Sequence, residues 1–227
     1  NPYLVSDQEL RATETKYKVY VGLRGDIDQQ IKYDFSAGFG KMNDILFFKA
    51  NDLFNDDVNA NRPAYDFANT FSTVYDNGTI SEVKASVQYF PLSNLALDAE
   101  VNFAKYNLDN LKDIYNKPLI KASLGAKYSM LDKKLNLGAK AIFGSDMTTN
   151  SYEINNNGIN PNVFISSENA NDKVGGFADL NLSAEYQVHK NFSIFAHGNN
   201  LLNTQYQTYK GYKVLGAQIL GGVKISF

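Results

Sequence analysis

The side chains best matched to proton transfer or nucleophilic attack near neutral pH, histidine and cysteine, are scarce in this 227-residue chain. There are two histidines and no cysteine, which excludes thiol nucleophiles, thiolate metal sites and disulfides. His189 falls in the short polar stretch His189-Lys190-Asn191 and reads as a solvated turn residue. His197 faces more polar company. Reflecting the chain about that turn sets His197 opposite Ser183, with Glu185 and Asp179 at the same parity. A serine beside an imidazole and a carboxylate suits acyl transfer, because the imidazole takes the hydroxyl proton while the carboxylate orients the ring. The same residues are also what a water-facing strand surface displays by default. Asp52, Asp56 and Asp57 form an oxygen-rich cluster of the kind that holds calcium, but without EF-hand spacing, and read more simply as a solvated loop. Gly221-Gly222 has no phosphate-loop context and reads as strand glycine easing close backbone approach or curvature. No catalytic, cofactor-binding or metal-binding set is assigned, and the chain is read as a non-enzyme.

The elements that carry these residues are strands. From Ala217, one parity of the final segment reads Ala217, Ile219, Gly221, Val223, Ile225, Phe227; the other contains Gln218, Gly222, Lys224 and Ser226, broken by Leu220. A period of two marks a strand with different surroundings on its two faces. The pattern recurs along the chain. Tyr17, Val19, Val21 and Leu23 oppose Lys16, Lys18, Tyr20 and Arg24; Val83, Ala85, Val87 and Tyr89 oppose Glu82, Lys84, Ser86 and Gln88. Leu180, Leu182, Ala184, Tyr186 and Val188 oppose Asp179, Asn181, Ser183, Glu185 and Gln187. No segment of useful length has a helical period, and no run approaches the roughly 18–20 apolar residues of a spanning helix. A membrane strand needs only about 9–11 residues, half of them apolar, so a mean hydropathy of -0.34 is compatible with a barrel. The 15 Tyr and 15 Phe suit interfacial aromatic girdles, although Trp is absent. A net charge of -2 offers no field for nucleic acid.

Connections alternate in length. Short turns are expected at 25–29, 90–94, 131–134 and 189–191; long loops at 49–66, 106–118, 144–176 and 199–211. Short periplasmic turns with long extracellular loops are the asymmetry of outer-membrane barrels. A soluble sandwich or calyx with its apolar face inward is the competing fold, and the loop asymmetry and terminal Phe227 count against it. The expected fold is thus all-β, an antiparallel transmembrane β-barrel of nine to ten strands. The uncertainty in count lies at Asp76-Asn77-Gly78-Thr79. Asn-Gly is a strong hairpin signal, but a long strand could also pass through it with a bulge. A hairpin tip gives ten strands and breaks the loop asymmetry. One long strand gives nine, and since barrels of single chains have even strand numbers, nine implies a larger barrel of which this chain is the C-terminal part.

Asn199-Asn200-Leu201-Leu202-Asn203, then Tyr206, Tyr212, Gly216 and the aromatic-ended last strand, resemble the C-terminal signature of TonB-dependent outer-membrane receptors. Asn1-Pro2-Tyr3-Leu4 with Glu9 to Tyr17, and Val74 to Thr79, resemble the mid-barrel of TonB-dependent receptor-like proteins of the Bacteroidota. The resemblance implies the outer membrane of a Gram-negative bacterium, binding or uptake of a nutrient ligand, and recognition of the last strand by the barrel-assembly machinery. It also implies outer-membrane lipid, and other outer-membrane or surface proteins, as partners. That family's plug and TonB box are not present in this sequence. A non-transporting barrel subunit of a larger outer-membrane complex is the alternative, and a barrel-embedded hydrolase using Ser183 and His197 is the second.

Overall fold

A computed structural model of the chain describes residues 10–50, 71–112, 114–149, 151–154, 164–167, 173–209 and 212–226, with backbone alone at 49–50, 71–72, 151–154 and 164–167. Nine long strands form one antiparallel sheet in chain order. They are β1 (Glu14–Ile27), β2 (Ile31–Ala50), β3 (Phe71–Leu92), β4 (Leu95–Leu108), β5 (Ile120–Met130), β6 (Leu135–Gly144), β7 (Phe177–His189), β8 (Phe192–Asn199) and β9 (Gln218–Ile225).

The register holds each parity on one face across the whole sheet. Val21 pairs with Ala37, Ala37 with Val83 and Val83 with Phe103. Further along, Ala126 pairs with Ala139, Ala139 with Leu182, Leu182 with Gly198 and Gly198 with Ile219. A one-residue slip anywhere would turn the rest of a strand inside out, so the alternation itself specifies the pairing. The apolar face is uncovered: Val21 is 73% exposed, Val223 60% and Ile219 84%. This rules out the soluble sandwich, in which these side chains would be the core. Among the described residues the buried apolar side chains Ile45, Phe47, Ile80, Ile114, Met147 and Val174 lie elsewhere, toward the long-loop end.

The short turns fall where the sequence puts them. Gln30 N–H donates to the Ile27 carbonyl at 3.0 Å, and Asp28 and Gln29 both have positive φ (51° and 58°). Lys134 N–H donates to Leu131 at 3.1 Å around Asp132 and Lys133, again both positive. Two successive positive-φ residues are the type I′ turn, whose twist matches that of the strands it joins. Asn77-Gly78, by contrast, lies inside the unbroken strand β3, and nine is the strand count. The irregularity is on the opposing strand, where the register shifts between Met42 and Ile45. Asp44 takes φ 49° in this bulge, and its N–H donates to Asn77 Oδ1 at 3.0 Å. The extra residue reverses the parity of β2, so Ile45 and Phe47 turn to the polar side of the sheet, opposite to Phe35 and Phe39 below them. There they pack with Ile114, Met42, Tyr106, Leu108 and Leu111.

The stretch 144–176 is not the plain loop expected from sequence. It carries the pairs Met147–Thr148 with Lys173–Val174 and Ser151–Ile154 with Phe164–Ser167. Likewise Gln207–Tyr209 pairs with Tyr212–Lys213 within the last connection. Among the described residues no pairing joins β1 to β9, and the sheet has two free edges. With nine antiparallel strands, β1 and β9 run in the same direction.

Candidate functional site

Among the described residues, ionisable groups gather on the polar face of the sheet. A trough of about 570 Å³ spans from β3 to β8, lined by Gln88, Asp98, Lys140, Ser183 and His197 among others. Glycines on this face make room for side chains of neighbouring strands to lie flat. A Cβ on Gly38 would strike the Tyr20 ring, one on Gly125 the Asp98 carboxylate, and one on Gly138 the Ser183 hydroxyl. On β1–β3 the space is used for a closed polar link. Lys18 Nζ reaches Glu82 Oε2 at 2.7 Å across the intervening β2, and Tyr20 Oη donates to the same oxygen at 3.2 Å.

Ser183 and His197 are register partners, as the reflection about the turn predicts. They do not form a catalytic pair. The Ser183 hydroxyl is turned toward Gly138 on β6, away from β8, and the His197 ring rests against Phe195 at 5.2 Å. Glu185 faces Lys224 Nζ at 3.6 Å, and Asp179 Oδ2 accepts from Tyr206 Oη at 3.5 Å. Among the described residues no hydrogen bond joins the Ser183 hydroxyl to the His197 ring or either of them to a carboxylate, and Glu185 and Asp179 face other partners. His189 ends β7 at the short turn and is exposed. Asp52, Asp56 and Asp57 lie outside the described residues, as does Phe227; among the described residues no group of three or more His, Asp or Glu could hold a metal. Gly221 and Gly222 sit within β9; Phe195 of β8 lies over Gly222.

The long-loop end holds polar anchors that the sequence did not reveal. Asp76 is 4% exposed, and its carboxylate accepts from Asn77 N, Asn110 Nδ2, Asn110 N and Leu111 N at 2.7–2.9 Å. Burial opposes its charge, but the donors from Leu111, Asn110 and Asn77 outweigh burial and hold the carboxyl below its ordinary value. These bonds fold the start of the 109–119 connection onto the rim. Asn116 fixes its far end: its N–H donates to Thr148 O at 2.8 Å and its amide to Phe48 O at 3.2 Å. Lys117 Nζ stands 5.3 Å from the centres of both the Phe47 and Tyr106 rings.

The last connection is organised by the Asn199–Asn203 motif. Asn200 is buried and its side chain closes the loop, donating to Thr204 O at 3.0 Å and Leu215 O at 2.9 Å and accepting from Thr204 N at 3.0 Å. Its own N–H donates to Asn181 Oδ1 at 3.0 Å. Asn203 Oδ1 accepts from Ala217 N at 3.1 Å, where β9 is about to begin. Both asparagines have positive φ (48° and 52°), a conformation that asparagine tolerates better than most residues. Tyr206 stacks on Phe177 with centroids 4.0 Å apart, and burial, with Asp179 beside it, raises its phenol pKa. The signal for this anchor was in the sequence, as a run of asparagines; that for Asp76 was masked by the Asn-Gly beside it.

Against known proteins, no family model and no curated sequence matches the chain. Solved structures do. The pyoverdine outer-membrane receptor FpvA of Pseudomonas aeruginosa PAO1 superposes over 92% of the chain with TM-score 0.63 and 15% identity. The copper transporter OprC gives 0.65 at 16% identity, and the ferric-catecholate import receptor Fiu of E. coli K12 gives 0.63 at 16%, each over 92% of the chain. The all-β antiparallel sheet of nine strands matches part of TonB-dependent receptor barrels. The chain spans less than a third of these proteins, at 29%, 30% and 27% of their lengths.

Proposed function

We propose that this chain is a wall segment of an outer-membrane β-barrel of the TonB-dependent receptor type, taking part in the binding or uptake of a nutrient ligand. The observation that carries the proposal is the exposed apolar face, continuous in register over nine strands and backed by a charged one. Such a wall is stable only between lipid and water, where every backbone group inside the membrane pairs with the next strand. The match over 92% of the chain to receptors and a transporter supports the same reading. Because β1 and β9 run the same way, closing them directly would make a parallel seam. An antiparallel barrel with an even strand count closes only with an odd number of further strands. The free edge of β9 is then the edge that barrel-assembly machinery and the closing strand engage. The anchored connections 109–119 and 200–217 form part of the outer rim that meets ligand, and the Bacteroidota-like sequence of Val74 to Thr79 belongs to that rim.

Deletion of the gene tests the reading. Uptake of one class of nutrient should fall while membrane integrity is kept, and the protein should fractionate with the outer membrane in a heat-modifiable form. Recovery in the soluble fraction would overturn the membrane assignment. Unchanged uptake across ferric chelates, copper and organic nutrients, together with stable co-purifying proteins, would make it a non-transporting subunit instead.

A further inference from the structure

We propose that the polar trough holds a binding subsite for a small zwitterion, a ligand of short-peptide size with one cationic and one carboxylate group. Two carboxylates, Asp98 and Glu100, stand on β4; two ammonium groups, Lys127 and Lys140, stand on β5 and β6. Asp98 pairs in register with Gly125, and Gly125 with Lys140, so acid and base lie in one transverse row, with the Asp98 carboxylate lying over Gly125 between them. Two strand spacings put their Cα atoms about 9.5 Å apart.

The same wall shows what this geometry does when the charges are meant to quench each other. Lys18 and Glu82 also lie two strands apart, with the glycines of β2 between them, and they close to 2.7 Å. Among the described residues, Asp98, Lys127 and Lys140 make no ion pair, and Glu100 accepts only from Asn102, at 2.7 Å. The trough therefore presents acidic groups on β4 and basic groups on β5 and β6 that form no ion pair with one another, with Asp98 lying over Gly125 and Ser183 over Gly138. Its volume of about 570 Å³ lies within the range of small-ligand sites. A cationic group would sit on the Asp98 and Glu100 bank and a carboxylate on the Lys127 and Lys140 bank. At roughly 3.3–3.6 Å per extended residue, two or three residues bridge the row. The subsite rests on the trough being the aqueous side of a barrel.

Trialanine is the probe, titrated into the full-length protein in detergent and followed by calorimetry. Asp98→Asn and Lys140→Met should each weaken binding at least tenfold. N-acetylated, C-amidated trialanine should not bind the unaltered protein, and Lys224→Gln, outside the trough, should change nothing. Ser183→Cys separates the two levels of the argument, because a membrane-impermeant thiol reagent should label it in vesicles. Failure of that labelling removes the aqueous-face reading and the subsite together. Labelling without trialanine binding, or with binding indifferent to both trough substitutions, overturns the subsite alone.

Discussion

Replacing Leu182 by arginine puts a charge at the centre of the apolar face. On β7 the outward positions are bracketed by aromatic side chains: Tyr186 below, and Phe143 of β6 above, in register with Ala178. Positions 178 to 186 are eight residues apart, about 27 Å along a strand. At the usual barrel tilt of roughly 40° this is about 21 Å along the membrane normal, close to the roughly 25 Å apolar band of such barrels. Leu182 lies four residues from each bracket, hence at the midplane, and is 44% exposed with no protein to cover it. Arginine there should cost about 2–4 kcal/mol, against about 0–1 kcal/mol for Val188→Arg beyond the lower bracket. Ser183→Arg, one residue away on the polar face, should cost little, because its charge enters water. The assay is urea unfolding of the full-length protein in lipid vesicles, read by heat-modifiable gel mobility. A Leu182→Arg cost no larger than that of Val188→Arg, or a Ser183→Arg cost matching it, would refute the assignment of faces.

Three further expectations concern the rim and the wall. The carboxyl of Asp76 is held below its ordinary value, so its contribution is complete above the unfolded-state value and is lost as pH falls through the lower folded value. Hydrogen exchange at the Asn110 and Leu111 amides should therefore be slow and flat from pH 7 to 5 after correction for intrinsic rates, and rise only under stronger acid; Asp76→Asn should accelerate it at least tenfold from pH 7 to 5, with the difference shrinking under stronger acid. Asn200→Ala removes three side-chain bonds and leaves a β-carbon residue at φ 48°, which should loosen the last connection by about 2–4 kcal/mol. Asn200→Gly should recover only the backbone part, and proteolysis between Gln205 and Leu215 distinguishes the two. Gly38→Leu should displace the Tyr20 ring and weaken the Lys18–Glu82 link, seen as a destabilisation larger than that of Tyr20→Leu alone.

Strand class, turn positions, the two faces and a count of nine to ten strands were legible in the sequence, because a period of two fixes faces and a one-residue slip would expose every error at once. Ser183 opposite His197 was legible for the same reason, being a matter of register. Whether the pair could react was not, since that depends on which way each side chain leans, and the serine hydroxyl lies in the space left by the missing side chain of Gly138. Asn77-Gly78 misleads as a local signal because β3 is paired on both sides there, with Met42 and with Leu108, and the tertiary ladder outweighs the turn preference.

By itself, then, the sequence determined an antiparallel wall with one apolar and one polar face, for alternation is written residue by residue. Only the tertiary structure decided that the apolar face lies bare, that a bulge at Asp44 turns Ile45 and Phe47 inward, and that Asp76 and Asn200 tie the rim. The ties at Asp44, Asp76 and Asn200 depend on partners 15 to 35 positions away in the chain, and no local pattern names a partner at that distance.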